Sequence, residues 1–301
     1  MEVKMKRNKW MVALLLIVFL VTSCGSNSDS IDDNTSIETQ QETKESVESS
    51  AEVVEDEVVV TFDCPELERL VRAELNKETG DILSTDMMNL YYIRPNGDNV
   101  KSLKGLEYAK NLMEFGILRN EIELESLDPI SNLTSLTRIN VSYTTVKEPV
   151  TFGKLDQVTY FALIDTNISD ISYLSEFKSL EHLTLTNNGI ENIDALSSLE
   201  NLTQLNLSRN NISSLEALRG KDKIESLNIQ SNNVSDIEPL EDLVSLQTAT
   251  LSYNPITNLK PLEALPNLVE LRIYQEHDVK HKIFDQVDLL ENKGITVEYH
   301  K

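Results

Sequence analysis

Base is scarce in this sequence. Its 27 lysines and arginines face 50 aspartates and glutamates, a formal charge of -23 over 301 residues. A surface of that sign repels phosphates, which argues against extensive binding to nucleic acid or to an anionic membrane face. Cysteine is scarcer: only Cys24 and Cys64 occur, too few for a disulfide framework, and Cys64 is expected to pack as a small apolar residue. No nucleophile is paired with a base, and there is no glycine-rich phosphate loop and no metal cluster. His277 and His281 stand four apart but lack a third ligand, so they read as solvated side chains. Neither catalysis nor a cofactor is expected. Long apolar runs are also missing. The one present, Trp10 to Val21, falls short of the ~20 residues that span a bilayer as a helix.

That run nevertheless has a recognisable setting. Lys4, Lys6, Arg7 and Lys9 precede it and small residues follow, so residues 1–23 read as a signal peptide. The stretch VTSCGS resembles the bacterial lipobox, which implies a diacylglycerol on Cys24 and a place on the extracytoplasmic face of the cell membrane. Two acyl chains, at ~0.8 kcal/mol per buried methylene, make a lasting tether. From 24 to 62 the chain turns to Ser, Thr, Asp, Glu and Gln, a composition that cannot bury enough apolar surface to offset its ordering entropy. A disordered acidic linker is expected there. It serves either as a spacer or as a solubility tail.

Beyond 115, apolar pairs two apart recur as Phe115/Ile117, Ile139/Val141, Phe161/Leu163, Leu183/Leu185, Leu205/Leu207, Leu227/Ile229, Ala249/Leu251 and Leu271/Ile273. After a first interval of 24 every step is 22. A fixed period in this range, with LxLxxN inside it, is the signature of leucine-rich repeats. In one unit, Leu183 and Leu185 alternate with Thr184 and Thr186, so a strand buries one face and exposes the other. An asparagine follows, able to bond the backbone groups freed where the chain turns out of the sheet. Stacked copies at Asn120, Asn188, Asn210, Asn232 and Asn254 are expected to form a buried ladder, with Thr144 and Thr166 as weaker substitutes. Ile190, Ile193, Leu196, Leu199 and Leu202 then fall on every third residue, the spacing of 3₁₀ or extended turns.

The expected fold class is therefore α/β: a leucine-rich repeat solenoid with a curved parallel sheet and a narrow 3₁₀ convex side, covering 103–276. A helical N-terminal cap is placed at 63–102, where Asp63, Pro65 and Glu66 suggest a capping box and Leu67, Leu70, Val71 and Leu75 share a face. A second short helix is expected near 84–90. A C-terminal cap covers 277–301, with a helix over 283–292, a stop at Gly294 and a last strand over 295–299. Lys221 stands where neighbouring repeats carry leucine, and Pro149 replaces a convex isoleucine, so local looseness is expected near RGKDK.

The 22-residue period, the LxxLxxLxLxxNxIxxI line and the helical cap resemble the internalin-like leucine-rich repeat proteins of bacterial surfaces. That resemblance implies a solenoid that binds other macromolecules through its concave face. Residues placed on that face are Arg138, Tyr143, Tyr160, Ile164, His182, Thr184, Gln204, Asn206, Arg209, Asn228, Gln230, Tyr253, Arg272 and Tyr274. Tyrosine, amide and hydroxyl groups with a few arginines are the composition of a recognition surface, although strand propensity alone also favours several of them. The expectation is a monomeric, lipid-anchored envelope protein that binds a protein ligand without turnover. A glycan or wall-polymer binder and a structural spacer are the alternatives.

Overall fold

The computed structural model describes residues 57–147, 150–274 and 283–299. Residues 1–23, Cys24, most of the linker, Pro149, His277 and His281 lie outside them. No helix of the described residues is long and apolar enough to cross a membrane.

Ten strands form one parallel sheet in chain order, each paired only with its neighbours. They are β1 (Tyr92–Ile93), β2 (Glu114–Leu124), β3 (Arg138–Val146), β4 (Tyr160–Ile164), β5 (His182–Thr186), β6 (Gln204–Asn206), β7 (Ser226–Asn228), β8 (Thr248–Thr250), β9 (Glu270–Arg272) and β10 (Thr296–Glu298). Register follows the repeat: Leu183 sits beside Leu205, Leu205 beside Leu227 and Leu227 beside Ala249. Their side chains enter one continuous core with Ile190, Ile193, Leu196, Leu199 and Leu202, all at most 3% exposed. No single unit could enclose these groups, so the stack shares them. On the convex side the three-residue apolar rhythm becomes 3₁₀ turns such as Asp194–Ser198, where Leu196 N–H donates to Ile193 O (2.9 Å) and Leu199 N–H to Leu196 O (3.0 Å).

The long first interval has a local cause. Asn120 pairs with Thr144, but Leu124 pairs with Val146, so Glu121, Ile122 and Glu123 oppose Thr145 alone. The two surplus residues form a bulge and the register resumes behind it.

Four expectations need correction. The first repeat strand is β1, inside the segment assigned to the cap; Ile93 pairs with Phe115, 22 residues on, but Pro95 hides the apolar pair. The linker ends earlier than residue 62: Val59 bridges Leu83, Val60 N–H donates to Ile82 O (2.8 Å), and Val60 is buried. No capping box opens α1 (Pro65–Leu75). Its N-cap is Cys64, without a side-chain cap bond, and Asp63 pairs with Lys104 at 3.0 Å instead. Lys221 does not loosen its turn. Its stem is buried and its ammonium donates to Ser197 O (3.1 Å) and Leu199 O (2.9 Å), so it satisfies carbonyls that a leucine would leave to the backbone.

The caps otherwise follow the sequence. Leu67 and Val71 of α1 are fully buried, and α2 (Ser84–Met87) follows. Gly105 closes this end: its φ is +102°, and a Cβ there would lie 2.6 Å from the Phe62 ring. At the other end α3 (Phe284–Asn292) precedes β10, with Gly294 at φ +89° turning the chain between them.

Candidate functional site: the concave face and its rim

The asparagines build the floor on which the face rests. Asn188, Asn210, Asn232 and Asn254 are each at most 7% exposed. Each bonds its own turn and the one before it. Asn210 Nδ2 donates to Leu185 O (2.6 Å) and Leu207 O (2.9 Å), while its Oδ1 accepts from Asn188 N–H and Ile190 N–H, both at 3.1 Å. Asn232 and Asn254 repeat the pattern one and two turns on. Asn120 serves the first turn in the same way, through Val100 N–H (2.7 Å) and Val100 O (2.8 Å). At the threonine turns the outcome is more specific than a weak substitute. Thr166 donates its hydroxyl to Asn188 Oδ1 (2.8 Å), and Asn167 supplies the missing amide, accepting from Val146 N–H (3.0 Å). The Thr144 hydroxyl donates to Ser142 O (3.1 Å) within its own turn.

The residue before each ladder position has a feature that sequence reasoning missed. Gly97, Arg119, Tyr143, Asp165, Asn187, Arg209, Ser231 and Tyr253 all have φ between +52° and +74°. This left-handed kink turns the chain out of the strand and swings the following asparagine inward. It also sets a row of side chains along the rim of the sheet. Glycine, asparagine and aspartate adopt the conformation readily; for tyrosine and arginine it costs about 1 kcal/mol or more each. Tyr143 and Tyr253 are nevertheless 57% and 46% exposed, and Arg119 and Arg209 are exposed as well. The varied residue types gave no repeated letter to find.

Between rim and strand starts lie two hollows. One of about 430 Å³ runs over β4 to β9, lined by Tyr160, His182, Thr184, Gln204, Asn206, Ser226, Asn228, Thr248, Thr250, Glu270 and Arg272. A second, about 450 Å³, lies over β1 to β3 beside Arg94, Glu114, Gly116, Arg138 and Asn140. The Arg138 guanidinium stacks on the Tyr160 ring at 3.9 Å and joins the two. Tyr160 in turn lies 6.3 Å from the His182 ring.

The expected face residues therefore divide. Arg138, Tyr143, Gln204, Arg209 and Tyr253 are exposed, and Tyr160, Ile164, His182, Thr184, Asn206, Asn228 and Gln230 are half-buried with one side open. Arg272 is a poorer anchor than expected, because Glu270 (2.5 Å) and Glu298 (3.0 Å) already hold it. Tyr274 is half-buried, its hydroxyl 3.4 Å from the same Glu298. Among the described residues no group of three His, Cys, Asp or Glu side chains could hold a metal ion.

A family model of leucine-rich repeats in two copies matches residues 178–220. No curated protein sequence is a detectable relative. Among solved structures, internalin C2 from Listeria monocytogenes is similar, with a TM-score of 0.58 and 24% identity over 79% of this chain and 94% of that one. An internalin InlF structure from the same organism gives a TM-score of 0.48 at 20% identity, covering 80% and 96%. The plant peptide hormone receptor RGFR1, in complex with RGF2, gives 0.54 at 19% identity over 64% of this chain and 33% of the receptor chain. The family model and the likeness to internalin C2 and to the plant receptor establish the fold, an internalin-like leucine-rich repeat solenoid.

Proposed function

We propose that this chain is a lipid-anchored protein of the bacterial cell envelope whose concave face and rim bind a protein partner without catalytic turnover. One observation carries the reading. Four bulky side chains, Arg119, Tyr143, Arg209 and Tyr253, are held in a backbone conformation unfavourable to them and are left exposed. Nothing in the fold requires tyrosine or arginine there, since Asn187 and Gly97 make the same kink at lower cost. Strain maintained without a packing return marks a functional surface. Exposed tyrosine and arginine on a rigid frame are also the side chains that dominate binding energy at interfaces. The complex of the plant peptide hormone receptor with RGF2 is a property of that receptor; for this chain it adds only that a solenoid of this kind can hold a ligand. The anchor rests on the lipobox-like VTSCGS around Cys24.

Photo-crosslinking tests the binding surface. With p-benzoylphenylalanine in place of Tyr143 or Tyr253, irradiated cells should yield a protein adduct of defined mass. The same probe at Val244 or Leu289, exposed away from the face, should yield none. Equal adducts at all four positions, or a glycan adduct in place of a protein, would defeat the reading. For the anchor, Cys24→Ser should move the protein from the membrane fraction to the soluble one.

A further inference from the structure

The donors and acceptors on this face are unequal. Eight arginines lie among the described residues, and five have a carboxylate partner: Arg69, Arg72, Arg94, Arg219 and Arg272. The three without one, Arg119, Arg138 and Arg209, all belong to the concave face or its rim. In a chain with 50 acids to 27 bases, carboxylates are plentiful, and on this face they stand at its two ends, Glu114 on β2 and Glu270 on β9, so their near absence from the strands between is selective. Across the strand and rim positions of β3 to β8 the one carboxylate is Asp165, and it already accepts from Asn187 Nδ2 at 3.0 Å.

The asparagines of the central hollow lean the same way. Asn206 Oδ1 accepts from Ser208 N–H and Asn228 Oδ1 from Gln230 N–H, both at 3.0 Å. A backbone N–H can bond only the oxygen of a carboxamide, so these bonds fix which way each amide faces. Their oxygens are used within the chain, and each Nδ2 is left as a donor with no protein acceptor among the described residues. Asn206 and Asn228 are direct neighbours in register. Strands about 4.8 Å apart place two such N–H₂ groups where the two oxygens of one carboxylate can meet both.

We propose that the concave face across β3 to β8 is a hydrogen-bond-donor surface for an acidic polypeptide segment, whose carboxylates are taken by Arg138, Arg209 and the paired amides of Asn206 and Asn228. The proposal rests on the reading that this face binds a protein, and adds the chemistry of the bound segment. The negative charge elsewhere does not oppose it at contact range, since salt screens charges beyond about 8 Å under physiological conditions. Guanidinium groups with no internal carboxylate are free to form bidentate pairs with a ligand's.

A random twelve-residue peptide library displayed on phage, selected on the immobilised full-length chain, tests this without knowing the partner. Recovered peptides should carry at least twice the Asp and Glu content of the input. That excess should vanish when the selection is repeated on Arg138→Gln/Arg209→Gln and on Asn206→Asp/Asn228→Asp. The aspartate variant keeps an acceptor for Ser208 and Gln230 N–H but puts two negative charges about 4.8 Å apart in place of the donors, so its thermal unfolding should fall slightly below the parent; the arginine variant removes the guanidinium groups without adding an anion. Peptides enriched on the parent but not in acids, or richer in Lys and Arg, would overturn the donor-surface proposal and leave concave-face binding standing. An acidic excess that survives in both variants would also overturn it, by placing the acid site elsewhere. No enrichment over bare support would count against both.

Discussion

The N-terminal cap and the repeats behind it are held by different chemistry. In the cap, charge ties separate segments together: Arg69 to Asp98 (2.7 Å), Lys77 to Asp86 (2.5 Å) and Lys104 to Asp63 (3.0 Å). In the repeats the same task falls to neutral carboxamides buried in a column, each joining two turns. Partly exposed ion pairs contribute little each and depend on salt and pH. Buried amides do not titrate, and losing one leaves backbone groups unsatisfied. The solenoid is thus firmest under the concave face, where a binding surface needs rigidity, and most sensitive to conditions at its N-terminal cap.

The comparison can be broken at several points. Asn210→Ala should have the largest effect, because it strands Leu185 O and the N–H groups of Asn188 and Ile190 in the core; about 3 kcal/mol of stability should be lost in chemical denaturation. Asn206→Ala, on the open face, should cost well under half of that. Next comes Gly105→Ala, where a strained φ and a contact with Phe62 coincide; a loss of about 2 kcal/mol is expected, read as a lower melting temperature. Acid should separate the two regions. The hydrogen bond from Lys77, followed by that from Leu83 N–H, holds the Asp86 carboxyl below its ordinary 3.8. A depressed carboxyl adds stability above that value and loses it as pH falls through the folded one. Below about pH 4, amides of residues 65–90 should therefore lose exchange protection before those of Ile190, Ile212 and Val234. Asp170 and Glu216, also lowered, sit on convex turns away from the ladder.

How much of this could be read from residues alone depended on whether a position is served by one residue type or many. The strand leucines and ladder asparagines each meet a single physical demand, burial or paired donor and acceptor, and so they recur as the same letter. The 3₁₀ turns followed from their spacing of three. The rim did not show, because its demand is a backbone angle that Gly97, Asn187, Tyr143 and Arg209 all meet. Asn167 was hidden for a related reason: it does a ladder asparagine's work one residue out of phase. In β1 the apolar pair is broken by Pro95, so the strand is set by its neighbour and not by its own pattern. Lys221 shows the limit of reading polarity as disorder, since its ammonium reaches two carbonyls that no linear pattern reveals. Face membership was legible from alternation, but one of the two ion pairs that occupy Arg272 joins it to Glu298 on the next strand, 26 residues on.

The claim that the rim keeps strained side chains for binding is tested most directly by replacing them with the residue that suits the angle. Tyr143→Asn/Tyr253→Asn should relieve the left-handed strain at both positions, and urea denaturation should show a gain of about 2 kcal/mol. Capture of the cross-linked partner by the same variant should fall at least tenfold. A variant that is less stable than the parent, or that captures the partner as well, would contradict the assignment of the rim as a binding surface.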